Sequence, residues 1–335
     1  MTTYDVHAHC APTGLFDLLA RDGGRYGTEV VDTAKGRAVR FAGGLTTPAL
    51  RPDFDDLDHR LGSMDAARVD VQLLSSWIDL TAYSLPSDVG ARYARMFNEL
   101  LAETVASRAD RFLGLCTVPL QDPVVAAAEL RHAVTEFGMV GVEIATTVDG
   151  RDLDDPDLEP FWAAAAELRC PVLIHPYASL AGRGVERYFL GNLVGNPAES
   201  TVAIAHLVFG GVLDRHPDLR PVLVHGGGFT PWQSSRWDRG HAAVAHLTGG
   251  GGIGARPTEL LQRVHFDTVL HDPQLIDFLV QRVGVERVVL GSDYPFPMGD
   301  LTPVDTLDAV TALTDEQRRA ILGGNVARLL DDVRR

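Results

Sequence analysis

The stretch YDVHAH, residues 4–9, is a short run with β-strand character that carries two histidines spaced by one residue. Successive side chains of a strand point to opposite faces, so His7 and His9 point to the same face. Seven further runs of similar length follow, most of them bounded by Gly, Pro, Asp or Ser. They lie at residues 69–76, 112–119, 139–145, 172–175, 222–225, 264–269 and 287–293. Short apolar runs of this kind are typical of strands buried on both faces of a parallel sheet.

Amphipathic helical patterns separate these runs, for example at residues 87–108, 124–136, 157–169 and 198–215. Eight strands that alternate with helices predict an α/β fold, with a (β/α)8 TIM barrel as first choice. The number of alternating strands and helices also fits a doubly wound open sheet, which is the alternative. Residues 20–52 predict a loop or small lobe inserted after the first strand. In a barrel, that insertion would lie at the catalytic face, where it could act as a lid.

Composition excludes several classes of protein. The 335 residues are 45% hydrophobic and 22% charged, as in soluble globular chains, and the net charge of −15 disfavours nucleic acid and anionic membranes as partners. The start of the chain does not resemble a signal peptide, and no apolar run is long enough to span a membrane. The chain has three cysteines, and their spacing does not match a disulfide framework. This predicts a reducing, cytoplasmic location. The glycine run at residues 249–252 follows a helical pattern rather than a strand, which excludes a dinucleotide-binding turn.

Imidazoles and a carboxylate recur at the carboxyl ends of the predicted strands. His7 and His9 lie on the first, His175 ends the fifth, His225 ends the sixth, and Asp293 ends the eighth. Active sites of (β/α)8 barrels are built at this end of the strands. Imidazole nitrogens and a carboxylate are ligands for a borderline cation such as zinc. These residues therefore predict a metal site at the catalytic face.

The same motifs resemble those of the amidohydrolase superfamily, and within it the decarboxylase branch typified by aminocarboxymuconate semialdehyde decarboxylase. The resemblance rests on the HxH of the first strand, HP at 175–176, HGGG at 225–228 and GSDYPFP at 291–297. It implies one barrel domain over residues 1–335 and one divalent metal, most often Zn2+ with Mn2+ as the alternative. The metal ligands would be His7, His9, His175 and Asp293, and His225 would be the acid–base residue.

The scarcity of lysine limits the metal chemistry. Lys35 is the only lysine and lies in the insertion, whereas the predicted fourth strand contains Glu143 and no lysine. A two-metal centre bridged by a carboxylated lysine on that strand is therefore excluded. A bridge through Glu143 stays open, beside the simpler interpretation that Glu143 lines the lower part of the site.

Further residues are candidates for substrate binding. Arg51 occupies the substrate-arginine position of the family, and Arg236 matches an arginine that family dimers supply from the neighbouring subunit. A guanidinium can bind a carboxylate through two hydrogen bonds. Phe296 and Trp77 could stack on a flat substrate, and Tyr188 stands where the family has a pocket tryptophan.

We therefore expect a metal-dependent, non-oxidative decarboxylase that acts on an aromatic or ring-opened aromatic carboxylic acid, with His225, Asp293 and Arg51 as catalytic residues. It would use metal-activated water or direct binding of the substrate to the metal, and act as a homodimer on a small anionic carboxylate. A hydrolase or hydratase on the same scaffold is the alternative. A non-catalytic barrel is a third interpretation, which metal analysis of the purified protein would separate from the others.

Overall fold

The computed structural model describes residues 1–177, 184–248 and 253–333, so the glycine run at 249–252 lies outside the described residues. Eight parallel strands form one sheet in which they follow one another in chain order, while the two strands at residues 28–33 and 36–41 pair separately. Its two edges meet, because the Asp293 N–H donates to the His7 carbonyl at 2.8 Å and the His9 N–H donates to the Tyr294 carbonyl at 2.7 Å. The sheet therefore closes into the expected (β/α)8 barrel, and the doubly wound alternative is wrong.

The strands are β1 (Tyr4–Cys10), β2 (Thr28–Thr33), β3 (Gly36–Phe41), β4 (Val71–Ser76), β5 (Phe112–Cys116), β6 (Gly141–Ala145), β7 (Pro171–His175), β8 (Arg220–Leu223), β9 (His265–Asp267) and β10 (Val288–Val289). The α-helices are α1 (Leu15–Asp22), α2 (Leu57–Ala66), α3 (Ser87–Ala106), α4 (Pro123–Glu136), α5 (Glu159–Leu168), α6 (Asn196–Phe209), α7 (Val212–Arg215), α8 (Thr230–Ala243), α9 (Pro257–Leu261), α10 (Pro273–Val283), α11 (Pro303–Asp308), α12 (Asp315–Arg319) and α13 (Asn325–Asp331). No helix in these described segments is both long and apolar enough to cross a membrane.

Each of the eight predicted runs overlaps a barrel strand, but four strands, β5, β8, β9 and β10, end earlier than predicted. β8 ends at Leu223 and β10 consists of Val288–Val289, so His225 and Asp293 lie beyond the strands. The backbone explains this difference, because φ is 54° at His225 and 60° at Asp293, and an extended strand cannot hold such angles. Both side chains are therefore presented from turns at the carboxyl end of the barrel.

A shift of register in β1 arranges the interior of the barrel. Asp5 pairs with Gln72 and Ala8 with Leu74, so two residues of β1, Val6 and His7, lie opposite one residue of β4. This is the geometry of a β-bulge. Val6 can thus join the apolar layer inside the barrel, while His7 joins His9 above it. The apolar layer is formed by Val6, Leu73, Leu115, Val140, Leu173, Val222, Val224 and Val289, with Val326 and Leu329 of α13 packed among them.

The segment at residues 20–52 contains the antiparallel hairpin β2–β3. The Phe41 ring packs edge-on against Tyr93 of α3, with 5.6 Å between ring centroids. A cavity of about 650 Å³ opens at the carboxyl end of the barrel. No described residue of the segment 20–52 lines this cavity, so the structure does not support the expectation that the segment acts as a lid. The division into one domain with this insertion stays a prediction.

Candidate metal centre and active site

Four buried side chains converge at the carboxyl ends of the strands: His7, His9, His175 and Asp293, each offering one ligand atom within 4.8 Å of the others. Asp293 Oδ1 lies 3.2 Å from the Nε2 atoms of both His7 and His9, and 4.0 Å from His175 Nε2. Ligands of a tetrahedral zinc ion are separated from one another by about 3.3 Å. The structure thus brings together the four side chains that the sequence predicted as metal ligands.

Hydrogen bonds on the far side of each ring hold the imidazoles in place. His7 Nδ1 donates to Asp267 Oδ2 at 2.6 Å, His9 Nδ1 to the Ser76 carbonyl at 2.9 Å, and His175 Nδ1 to the Pro176 carbonyl at 2.8 Å. A proton on Nδ1 leaves the lone pair of Nε2 free to bind a cation. All three Nε2 atoms are therefore presented as ligands.

The charges around the cluster make its centre attractive to a cation. Burial alone would lower the pKa of His7, but the charge of Asp293 and the hydrogen bond to Asp267 raise it to about 10. Burial alone would raise the pKa of Asp293, but its contacts with His7, His225 and His9 hold it well below its usual range. Two ionised carboxylates thus surround His7. A divalent cation would neutralise this excess of negative charge.

Asp267 is a site residue that the sequence analysis missed. It ends β9, is completely buried, and also accepts a hydrogen bond from the Gly226 N–H at 2.8 Å. Burial would raise the pKa of this carboxyl group, but the hydrogen bond from His7 lowers it below its usual value. Its position within the predicted seventh strand, residues 264–269, was the one available signal. Asp267 thereby orients both His7 and the turn that carries His225.

His225 lies beside the cluster rather than within it. Its Nε2 is 3.5 Å from Asp293 Oδ2, the carboxylate oxygen turned away from His7 and His9. The three glycines that follow all have positive φ, and a Cβ at Gly228 would come within 2.0 Å of the Pro197 carbonyl oxygen. This tight turn requires glycine. It holds the imidazole of His225 at the wall of the cavity.

A cavity of about 650 Å³ opens above the cluster. His175, His225 and Asp293 form part of its wall, so the candidate metal site is reached from it. The other walls combine apolar and polar groups. Among them are Phe189, Leu193, Phe229, Trp232, Val269, Leu270 and Phe296, together with Asp79, Tyr177, Asn192, Asn196 and His271. A largely apolar cavity with a few polar groups suits a small ligand with a flat body and polar substituents.

Asp79 and Phe189 are cavity residues that the sequence analysis did not single out. Burial raises the pKa of the Asp79 carboxyl, which lies just beyond the end of β4. Phe189 is adjacent to Tyr188, the predicted pocket residue, but Tyr188 is 73% exposed and its ring packs under Arg187. The structure therefore places Phe189 on the cavity wall and does not place Tyr188 there. A sequence without an alignment offers no means of choosing between the two neighbours.

The two aromatic residues that were predicted to stack on a substrate have different surroundings. Phe296 lines the cavity and packs edge-on against His9, with 5.2 Å between ring centroids. Trp77 is 2% exposed and stacks on Phe54 at 4.6 Å, so its ring is part of the packing behind Phe296. Contact of Phe296 with substrate is compatible with this geometry. Trp77 would act indirectly, through Phe54.

Neither of the two arginines that were predicted to bind substrate lines the cavity within this chain. Arg51 donates to Asp53 Oδ2 at 2.9 Å and to the Pro295 carbonyl, next to Phe296. Arg236 is exposed on α8. None of the described residues of the cavity wall is an arginine or lysine. Recognition of a substrate carboxylate by either arginine therefore requires movement of a side chain or a second subunit.

Glu143 lies on the side of His9 that faces away from the cluster. Its Oε1 is 3.4 Å from His9 Nδ1, whereas the ligand atom of His9 is Nε2. Burial raises the pKa of Glu143 to about 7. This placement agrees with a residue of the lower barrel and disfavours a bridge between two metals.

Comparisons with known proteins agree with the fold. Residues 4–331 match the family model for amidohydrolases. A 2-amino-3-carboxymuconate-6-semialdehyde decarboxylase of Dictyostelium discoideum is 30% identical over 326 residues, covering 97% of this chain and 90% of that protein. A gamma-resorcylate decarboxylase of Rhodococcus jostii (strain RHA1) is 34% identical over 258 residues, covering 72% of this chain and 78% of that protein. The structure of a 2,6-dihydroxybenzoate decarboxylase from Rhizobium aligns with a TM-score of 0.81 at 25% identity, covering 99% of both chains. This chain therefore belongs to the amidohydrolase family, as its motifs predicted.

Proposed function

We propose that this protein is a metal-dependent decarboxylase of an aromatic or ring-opened aromatic carboxylic acid. The observation that carries the proposal is the buried cluster of His7, His9, His175 and Asp293 at the wall of a largely apolar cavity, with His225 beside it. The relatives with 30% and 34% identity are decarboxylases of such acids. A structural relative with 25% identity has been solved in complex with 2,6-dihydroxybenzoate.

The four clustered residues would hold one divalent metal. His175 Nε2 and Asp293 Oδ1 are buried and have no hydrogen-bond partner among the described residues, which is costly unless a cation binds there. When bound, the cation supplies Lewis acidity and stabilises negative charge on substrate oxygens. We propose Zn2+, because three imidazoles and a carboxylate suit it; Mn2+ is the alternative.

His225 and Asp293 would move the proton that the reaction requires. When the bond to the carboxyl group breaks, its electron pair stays on the substrate carbon and carbon dioxide leaves. That carbon must then gain a proton. His225 Nε2 lies at the cavity wall, 3.5 Å from Asp293 Oδ2, and an imidazole can donate a proton near neutral pH. His225 would therefore deliver the proton, and Asp293 would orient it as well as bind the metal.

Arg51 and Arg236 would bind the carboxylate of the substrate. Arg51 is held at the site edge by the Pro295 carbonyl, and a change of rotamer away from Asp53 would turn its guanidinium to the substrate. Arg236 would enter from a neighbouring subunit. Trp232 lies one helical turn before it on α8, so both share one face of the helix.

We propose that the protein is a homodimer, because apolar side chains are exposed around the mouth of the cavity. Trp232 is 57% exposed, Phe189 62% and Leu193 50%, although all three line the cavity. Exposed apolar patches of this kind are typical of interaction surfaces. A second copy of the chain would cover them and complete the cavity. We further propose a cytoplasmic location, since Cys10, Cys116 and Cys170 are free thiols.

The test is release of carbon dioxide from a panel of dihydroxybenzoates and aminomuconate-type acids, with protein loaded separately with Zn2+ and Mn2+. We expect one class of acid to release carbon dioxide and to yield the product protonated at the carbon that lost it. Turnover of these acids without carbon dioxide would overturn the proposal. Protein that purifies without a chelator and holds less than about a tenth of an equivalent of metal would instead favour a non-catalytic barrel.

A hydratase is the second candidate, because a 2-keto-4-carboxy-3-hexenedioate hydratase of Sphingobium is 27% identical over 259 residues. Its reaction adds water to an unsaturated acid. Mass spectrometry separates the two candidates: a product that has gained water and kept its carboxyl groups would identify the hydratase.

A further inference from the structure

A second cavity, of about 360 Å³, lies at the amino ends of the barrel strands. Arg220 begins β8, His265 begins β9, and Arg287 comes directly before β10, and all three line this cavity. The candidate metal ligands lie at the carboxyl ends of the strands instead. The cavity is therefore separate from the site described above.

Four guanidinium groups line this cavity, from Arg220, Arg263, Arg287 and Arg328. Within the described part of the chain, Arg263, Arg287 and Arg328 have no carboxylate oxygen within 4.0 Å, and the closest to Arg220 are at 3.8 and 3.9 Å. The carboxylates on the wall, Glu286 and Asp332, are fewer than the guanidiniums. An excess of positive charge in one cavity is unexpected in a protein of net charge −15.

The cavity also contains buried polar atoms without partners. His265 is 4% exposed, and its Nδ1 has no hydrogen-bond partner among the described residues; the same is true of the buried Nε of Arg287. Burial and the charges of Arg287, Arg220 and Arg328 lower the pKa of His265 to about 3, so its ring is neutral at pH 7. Unpartnered polar atoms of this kind are rare in native proteins unless a ligand or water satisfies them.

We propose that this cavity is a binding site for a small multivalent oxyanion, such as a phosphate group or a di- or tricarboxylate, held by Arg220, Arg287 and Arg328. The guanidinium fork matches the oxygen spacing of both phosphate and carboxylate groups. The volume of about 360 Å³ is sufficient for a small metabolite as well as an inorganic ion. Bound anion would offset the repulsion among the arginines and thus stabilise the folded protein.

Calorimetric titration with inorganic phosphate, and separately with citrate, tests this site in buffer matched for ionic strength with chloride. We expect at least one of the two anions to bind, and Arg287→Gln and Arg220→Gln to weaken that binding at least about tenfold. The control Arg21→Gln removes an exposed arginine of α1 outside the cavity and should bind as the wild type does. Preference for phosphate or for citrate identifies the source of the oxyanion.

Phosphate can also coordinate a divalent metal at the other end of the barrel. The arginine variants are therefore needed to show whether the anion binds in the arginine-lined cavity. Binding that is unchanged in both variants would overturn the proposal, and so would the absence of binding by either anion. If one variant fails to fold, as judged by circular dichroism, Arg328→Gln takes its place. A thermal shift with phosphate that is lost in the variants would provide independent support. None of these measurements depends on enzymatic activity.

Discussion

Two buried histidines at opposite ends of the barrel have opposite surroundings. His7 lies between Asp267 and Asp293, and their charges outweigh burial and raise its pKa to about 10. His265 lies among arginines, and burial together with their charges lowers its pKa to about 3. Asp267 and His265 are the two ends of β9, a strand of three residues. Burial acts in the same direction on both histidines, so the sign of the neighbouring charge decides the direction in which each pKa shifts. It also distinguishes the end with the candidate metal site, the proposed cation-binding end, from the proposed anion-binding end.

The largest effect is expected at the cation-binding end, from His225→Asn. Loss of the proton donor should reduce kcat by at least about 100-fold. Metal content should stay stoichiometric, because His225 is not one of the four clustered ligands. Steady-state kinetics and metal analysis of the same preparation provide the measurement. The control is His246→Asn, an exposed histidine outside the cavity wall. Wild-type turnover in fully loaded His225→Asn would refute the acid–base role.

Asp267→Asn tests whether the negative charge behind His7 supports metal binding. We expect metal affinity to fall by about 10- to 100-fold, because the imidazole loses its ionised acceptor. Competition with a chromogenic chelator measures this. The matched control is Asp154→Asn, which alters another Asp–His pair, at 2.8 Å from His206 Nδ1. Equal metal affinity of Asp267→Asn and the wild type would show that the contact at His7 is only structural.

His265 should make the folded protein sensitive to acid. Its pKa is about 3 in the folded state and about 6.5 in the unfolded state, so the unfolded state binds the proton more tightly. Stability is therefore complete above pH 6.5 and is lost as the pH falls from 6.5 towards 3. From pH 8 to pH 5 this group should cost about 2 kcal/mol of unfolding free energy. Urea denaturation at both pH values measures the loss of unfolding free energy. In His265→Gln, the part of this loss that comes from His265 should be absent. An unchanged pH dependence in His265→Gln would contradict the assignment.

The smallest effect is expected from Arg287→Gln without any multivalent anion. Removal of one of several mutually repelling guanidiniums should raise stability by less than about 1 kcal/mol at low salt, and the gain should disappear at high salt. Thermal denaturation at two chloride concentrations tests this, with Arg21→Gln as control. If Arg287→Gln is destabilised at low salt, repulsion is not the dominant interaction in the cavity, and the contrast between the two ends is weaker than we infer.

The metal cluster could be predicted because its ligands lie within or at the ends of predicted strands, and the carboxyl ends of parallel strands meet at one face. His7, His9 and His175 lie on the strands as predicted, and Asp293 follows the last of them. The rotamers of long side chains could not be predicted. Arg51 donates to Asp53 and to the Pro295 carbonyl, because local hydrogen bonds decide the rotamer of a long side chain; its role in binding substrate stays a prediction.

The sequence by itself determined the alternation of strands and helices and the chemistry of the candidate ligands, since strand periodicity and donor type are properties of a few consecutive residues. Only the tertiary structure decided which groups orient those ligands. The contact between His7 and Asp267 joins residues 260 positions apart, and the register shift at Val6 and His7 exists only because β1 pairs with β4. The arginine cavity has the same origin, because its members are scattered over residues 217–332 and meet at the amino ends of neighbouring strands. Charge acts through space rather than along the sequence, and so these contacts require the fold.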